Sequence, residues 1–169
     1  IDLCLKAVQK QTYKNFEIIL VDNESTDSTV KRAKEFEVNN IISITYYLPG
    51  KALNEGIKHA SGKYIVCISA HCIPVDNHWL ENLVKAIEQQ DSSIAGAYGR
   101  QEPMSFSTPA DKRDLLLVFG LDRIIQVKDS FFHNANSIIR RKLWEELPFD
   151  NEITNIEDRI WAQNMLNLG

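Results

Sequence analysis

Cysteine is scarce in this sequence, with three among 169 residues. An odd and small number does not suggest a disulfide framework, and a reducing compartment follows. No run reaches the roughly 18 apolar residues that a membrane-crossing helix needs. Positive charge is short as well: 19 Lys and Arg face 23 Asp and Glu, for a net charge of −4. That balance argues against a nucleic-acid-binding surface, so a partner carrying phosphate would need a local pocket rather than a global field. Neither G-x-x-x-x-G-K-S/T nor G-x-G-x-x-G occurs, and the common phosphate-loop and dinucleotide readings lose their mechanism. Cys67, His71 and Cys72 look superficially like metal ligands, but no second Cys/His cluster completes a tetrahedral zinc site. Repeats, linkers and low-complexity stretches are absent too.

What is present, 44% hydrophobic and 25% charged, suits one globular domain over residues 1–169. A chain of this length should bury about 70% of its unfolded surface without staples. It begins with Ile1 rather than Met and is read as a fragment of a longer protein.

Helical and strand patterns alternate along the chain. Residues 2–11 read as a helix. Phe16–Val21 is a nearly continuous apolar run, as expected of a strand buried on both faces. A polar turn, Asp22–Ser28, leads into a helix through about residue 36. Ile41–Tyr46 is a second strand. Pro49-Gly50 breaks the chain before a helix from Ala52 to Ala60, closed by Gly62. Tyr64–Ile68 is a third strand, and Asp76 or Asn77 caps a helix whose apolar face carries Trp79, Leu80, Leu83, Val84 and Ile87. Ile94–Tyr98 is another strand, 111–119 a helix, His133–Arg140 a strand and Lys142–Leu147 a short helix. Asn155 caps a last helix from Ile156. Such alternation means an α/β sheet, whose ligands bind beyond the carboxyl ends of its strands.

Two segments stand at such ends, Asp22–Asp27 and Ser69–Pro74. Asp22 and Asn23 make a turn and cap a helix, or they accept hydrogen bonds from a base or ribose. Asp158, at the third position of a helix capped by Asn155, complements the helix dipole, or it serves as a general base. Periodicity does not choose within either pair.

Three segments together carry more: QTYKNFEIILVDNESTDST, GKALNEGIKHASGKYIVCISAHCIPVDNHWLENL and NANSIIRRKLWEELPFDNEITNIED. In order and spacing they resemble the family 2 inverting glycosyltransferases over nearly the whole chain. The GRQEP stretch at 99–103 is similar to a bacterial, rhamnosyltransferase-like branch. The resemblance implies an α/β, three-layer α/β/α nucleotide-diphospho-sugar transferase (GT-A) fold with a mostly parallel mixed central sheet. That family begins with a strand ahead of this chain's first helix and continues past residue 169. The chain therefore looks truncated at both ends, and a gap is expected where the first strand belongs.

The implied activity is a hexosyltransferase-type enzyme. It would move a sugar from a nucleotide-diphospho-sugar donor to a hydroxyl of a glycan or lipid-linked acceptor, with inversion. The setting implied is cell envelope polysaccharide biosynthesis in the bacterial cytoplasm, peripheral at the inner membrane face, with a homodimer among the expected states. The alternative is a non-catalytic or degenerate sugar-nucleotide-binding domain.

By the same resemblance, Asp22 and Asn23 match the pair that contacts base and ribose, and Lys51 lies where a basic residue reaches the nucleotide. Ser69-Ala70-His71 matches the D-x-D position, whose last acidic residue holds a divalent cation on the diphosphate. Here only His71 is left as a ligand for Mn²⁺ or Mg²⁺, and imidazole suits Mn²⁺ better. Contact of His71 with a phosphate, or a structural role, stays open. Glu157 and Asp158 match the family's E-D pair, whose aspartate is the base, and Trp161 fits the helix behind it. Asn134, Asn136 and Arg140 lie in a stretch that borders acceptor and diphosphate.

Overall fold

Short apolar runs become the strands of the computed structural model, which describes residues 1–90 and 93–169. The order is α1 (Asp2–Gln9), β1 (Ile19–Asp22), α2 (Thr29–Glu35), β2 (Asn40–Ser43), α3 (Pro49–Lys58) and β3 (Tyr64–Ile68). It continues with α4 (Trp79–Glu88), β4 (Gly96–Tyr98), α5 (Pro109–Phe119), β5 (Asn136–Arg140), α6 (Arg141–Glu146) and α7 (Glu157–Leu168).

β1 and β2 pair in parallel, with Asp22 opposite Ser43 at their ends. The other three strands are ordered β3-β5-β4. β5 runs antiparallel to both neighbours, so β3 and β4 point the same way with one reversed strand between them. Successive residues of a strand face opposite sides. In β5 this sends Ile138 to pack with Leu83, Val84 and Ile87 of α4. Ile139 joins Ile57, Ile65, Phe132, Trp144, Phe149, Trp161 and Met165 on the other side. Both isoleucines are fully buried, and helices thus cover both faces of this sheet.

The run at 16–21 differs from its expectation. It is a strand only from Ile19, and Ile19, Leu20 and Val21 are half-buried instead of buried on both faces. Between β1 and β3 lies a cavity of about 880 Å³, lined by Leu5, Leu20, Val21, Ile65 and Ile68 among others. Among the described residues β1 pairs with β2 alone.

Three helices differ from expectation at their ends. Pro49 does not break the chain but is the first residue of α3, where its missing N–H costs nothing, and Gly50 lies inside the helix. A Cβ at Gly50 would stand 1.9 Å from the Asp150 carbonyl, so a glycine lets α3 press against that turn. α3 ends at Lys58 with His59 as its C-cap, and Gly62 does not close it. α4 is capped by neither Asp76 nor Asn77: buried Gln11 accepts the Leu80 N–H at 2.9 Å and donates to the Asp76 carbonyl at 2.8 Å. α7 is preceded by Ile156, with a left-handed φ of 63°, and not by an Asn155 cap; Asp158 is its second residue, not its third.

Asn54 ties α3 to the segment before α7. Its Nδ2 donates to the Phe149 carbonyl at 2.7 Å and to Asn151 Oδ1 at 3.0 Å. Its Oδ1 accepts from Trp144 Nε1 at 2.7 Å and from the Phe149 N–H at 3.2 Å. Every polar atom of this buried amide is used, as burial requires.

Candidate active site

The ends of β1, β2 and β3 supply the first part of the site. Asp22 closes β1 and is buried, and its Oδ2 accepts the Ser25 N–H at 2.9 Å. The carboxylate thus holds the turn that the sequence suggested. Asn23 is exposed beside it. α3 follows β2 and turns back, which sets its first turn at the same strand ends. Lys51 lies in that turn, with Nζ 5.7 Å from the centre of the Tyr46 ring.

β3 ends at Ile68, where Ser69 takes over. The Ser69 N–H donates to the Ala135 carbonyl at 3.1 Å, and the Cys72 N–H folds back to the Ser69 carbonyl at 2.9 Å. This turn exposes Ala70 and His71. Ser69 Oγ is 2.8 Å from His71 Nδ1 and 3.3 Å from Nε2, and the shorter contact orients the ring. The cysteines nearby are of another kind. Burial pushes the Cys67 thiol up to about 12, so it stays protonated and inert in the core. Among the described residues no group of three or more His, Cys, Asp and Glu could hold a metal ion. A cation at His71 would therefore need oxygens from a bound ligand to complete its coordination.

Asp158 and Glu157 meet the start of β5. The Asn134 N–H donates to Asp158 Oδ2 at 3.2 Å, and the Arg159 N–H to Oδ1 at 2.7 Å. Asn134 Nδ2 reaches Glu157 Oε1 at 3.5 Å, and its Oδ1 accepts from Ser137 Oγ at 3.1 Å. Burial, reinforced by the neighbouring Asp158 charge, pushes the Glu157 carboxyl above its ordinary value. Two adjacent carboxyls are thus set apart: Glu157 is buried in the protein, while Asp158 is half-exposed and held by two backbone N–H groups.

One cavity touches both parts, since Val21, Pro49, Ser69, Asn134 and Glu157 all line it. Asn136 stands at this end as well, paired with Ile68. Its Oδ1 accepts from Trp79 Nε1 at 2.9 Å. Gly99 packs so closely on this amide that a Cβ would fall 2.4 Å from Nδ2. Arg140 is not brought to the site. β5 is antiparallel to β3, so Arg140 lies opposite Tyr64 at the far end, where Nε donates to the Ile94 carbonyl at 2.7 Å and Nη2 to the Ile87 carbonyl at 3.2 Å. A diphosphate beside His71 is beyond its reach.

Sequence reasoning gave no role to His133. It lies two residues before Ala135, with its ring centroid 5.7 Å from that of Phe119. Its only sequence signal was an imidazole at the first position of the strand expected over His133–Arg140.

Comparisons with known proteins identify the family and the fold. The model of the family described as glycosyl transferase family 2 matches residues 1–147. Over its full length the chain is 28% identical to glycosyltransferase AglE of Haloferax volcanii, of which it spans 58%. Over 96% of its length it is 26% identical to the O-antigen chain rhamnosyltransferase WbaN of Salmonella anatum, of which it spans 55%. A solved mannosyltransferase from Pyrobaculum calidifontis, in complex with GDP-Man and Mn²⁺, superposes with a TM-score of 0.73 at 22% identity; the match covers 95% of this chain and 46% of that one. The chain spans about half the length of these proteins. The structural likeness shows the fold, the nucleotide-diphospho-sugar transferase (GT-A) architecture.

Proposed function

We infer the function from one premise: this chain belongs to glycosyl transferase family 2. We propose that it forms the catalytic domain of an inverting sugar transferase. Asp158 takes the proton of an acceptor hydroxyl. That oxygen attacks the anomeric carbon on the face opposite the nucleoside diphosphate, the bond to the phosphate oxygen breaks, and the diphosphate leaves with the electron pair. No covalent enzyme intermediate is needed, so the chain's residues supply positioning and proton transfer.

The observation that carries this reading is the paired hold on Asp158. Two N–H groups, at 3.2 and 2.7 Å, fix both carboxylate oxygens at the start of α7. Asn134 serves both acids, and the neighbouring Glu157 is driven towards its neutral form by burial. Divergent environments for adjacent carboxyls are how one of them is kept as the base.

Asp22, Asn23 and Lys51 at the ends of β1 and β2 would receive the nucleotide, with Ser69 and Ala70 lining its diphosphate. The donor set at His71 fits a cation held mainly by substrate phosphates: one exposed imidazole, oriented by Ser69. When bound there, Mn²⁺ or Mg²⁺ would stabilise the charge that develops on the departing diphosphate. The name of the Salmonella relative supports a glycan or lipid-linked acceptor in cell envelope polysaccharide biosynthesis. The place proposed for it is the cytoplasmic side, peripheral at the membrane; no helix among the described residues is long and apolar enough to cross one.

The test is Asp158→Asn in the full-length protein. Transfer should fall about 10²- to 10⁴-fold, as when a positioned base is removed. Donor binding by calorimetry should persist. Turnover equal to wild type would remove Asp158 from the mechanism.

A further inference from the structure

The proposed reaction leaves one imidazole beside Asp158 without a task. His133 is half-buried in the turn that enters β5. The Ala135 N–H donates to its Nδ1 at 3.3 Å, and Gln101 Nε2 lies 3.1 Å from the same nitrogen. A side-chain amide can be turned end for end, but a backbone N–H only donates. Nδ1 must therefore present its lone pair, and in the neutral ring the proton sits on Nε2. Burial favours that neutral ring; Asp158 opposes the effect, while Arg159 and His71 add to it. Phe119 and Phe131 flank the imidazole, with centroids at 5.7 and 6.3 Å. Nε2–H has no hydrogen-bond partner among the described residues. An oriented, uncharged donor thus stands within electrostatic reach of both the proposed base and the proposed cation ligand. In the proposed reaction an acceptor hydroxyl reacts beside Asp158, and the donor sugar with its own hydroxyls lies next to it.

We propose that His133 is a specificity-determining residue whose Nε2–H donates to a hydroxyl of the sugar reacting beside Asp158. This rests on the glycosyl-transfer reading above. The hydroxyl belongs to the donor sugar or to the acceptor sugar, and the chemistry that recognises it is the same.

Three substitutions separate hydrogen bonding from packing. His133→Gln keeps an N–H near the reach of Nε2, His133→Asn keeps only the reach of Nδ1, and His133→Phe keeps the shape alone. GDP-mannose, UDP-glucose and dTDP-rhamnose are offered to the full-length protein with Mn²⁺, first with water as acceptor and then with octyl mannoside or octyl glucoside. The Phe and Asn variants should lose about ten-fold in kcat/KM, the worth of one hydrogen bond, while Gln stays near wild type. Loss already present in donor hydrolysis assigns the hydroxyl to the donor, and loss seen only with the glycosides assigns it to the acceptor. Nitrogen-15 spectra of the wild-type protein should show His133 protonated on Nε2. A proton on Nδ1, or a Phe variant as active as wild type, overturns the assignment and leaves the reaction standing. A wild-type protein that moves no sugar from any of the three donors overturns the reaction and this assignment with it.

Discussion

Replacing Asn54 by leucine tests how the two halves of the site are held together. The amide is 2% exposed. Leucine fills a similar volume but removes partners from three groups on other elements: Trp144 Nε1–H, the Phe149 N–H and the Phe149 carbonyl. Asn151 is exposed and can turn to water. A buried group left unpaired costs about 1–3 kcal/mol. Three such groups, eased by relaxation and by the added apolar surface, should cost about 3–5 kcal/mol. For a domain of this size that lowers Tm by about 10 °C. Urea unfolding followed by tryptophan fluorescence reads the change directly, since Trp144 and Trp161 both lie in the affected core. Asn151→Ala is the control and should stay within about 0.5 kcal/mol. An Asn54→Leu midpoint equal to wild type would refute the claim that this amide network holds α3 against the segment leading to α7.

Three further outcomes are expected. Glu157 keeps a proton in the folded state that the unfolded chain releases near its ordinary 4.5, so wild-type stability should fall as pH rises from there towards the raised value; Glu157→Gln should flatten that fall in a Tm-versus-pH series, and parallel curves would count against it. Gly50→Ala sets a methyl 1.9 Å from the Asp150 carbonyl, and should cost about 1–3 kcal/mol by urea titration unless the turn moves at no cost. Transfer should require Mn²⁺ or a similar ion, and His71→Ala should weaken its apparent affinity about 10- to 100-fold; full activity in chelator would rule the ligand assignment out.

Periodicity and composition were enough for the element types. Tyr64–Ile68 is the strand its apolar run suggested, and α4 buries Leu80, Leu83, Val84 and Ile87 on one face, as spaced. Those properties are local: a strand or an amphipathic helix advertises its buried face in the side chains it carries. Motif order likewise sufficed for the family.

What the sequence could not contain was set by residues far apart along the chain. The cap of α4 comes from Gln11, some 69 positions before Leu80. The reversed direction of β5 placed Arg140 at the wrong end for a diphosphate and Asn136 at the right one, a choice that only strand pairing makes. Asn134 gained its standing through contacts to Glu157 and Asp158, 23 and 24 residues away. His133 became a candidate for the same reason, because the Ala135 N–H settles which of its nitrogens carries the proton. Residue types and their order determined the family and the candidate groups; hydrogen bonds closed across long loops decided which of those groups the fold brings together.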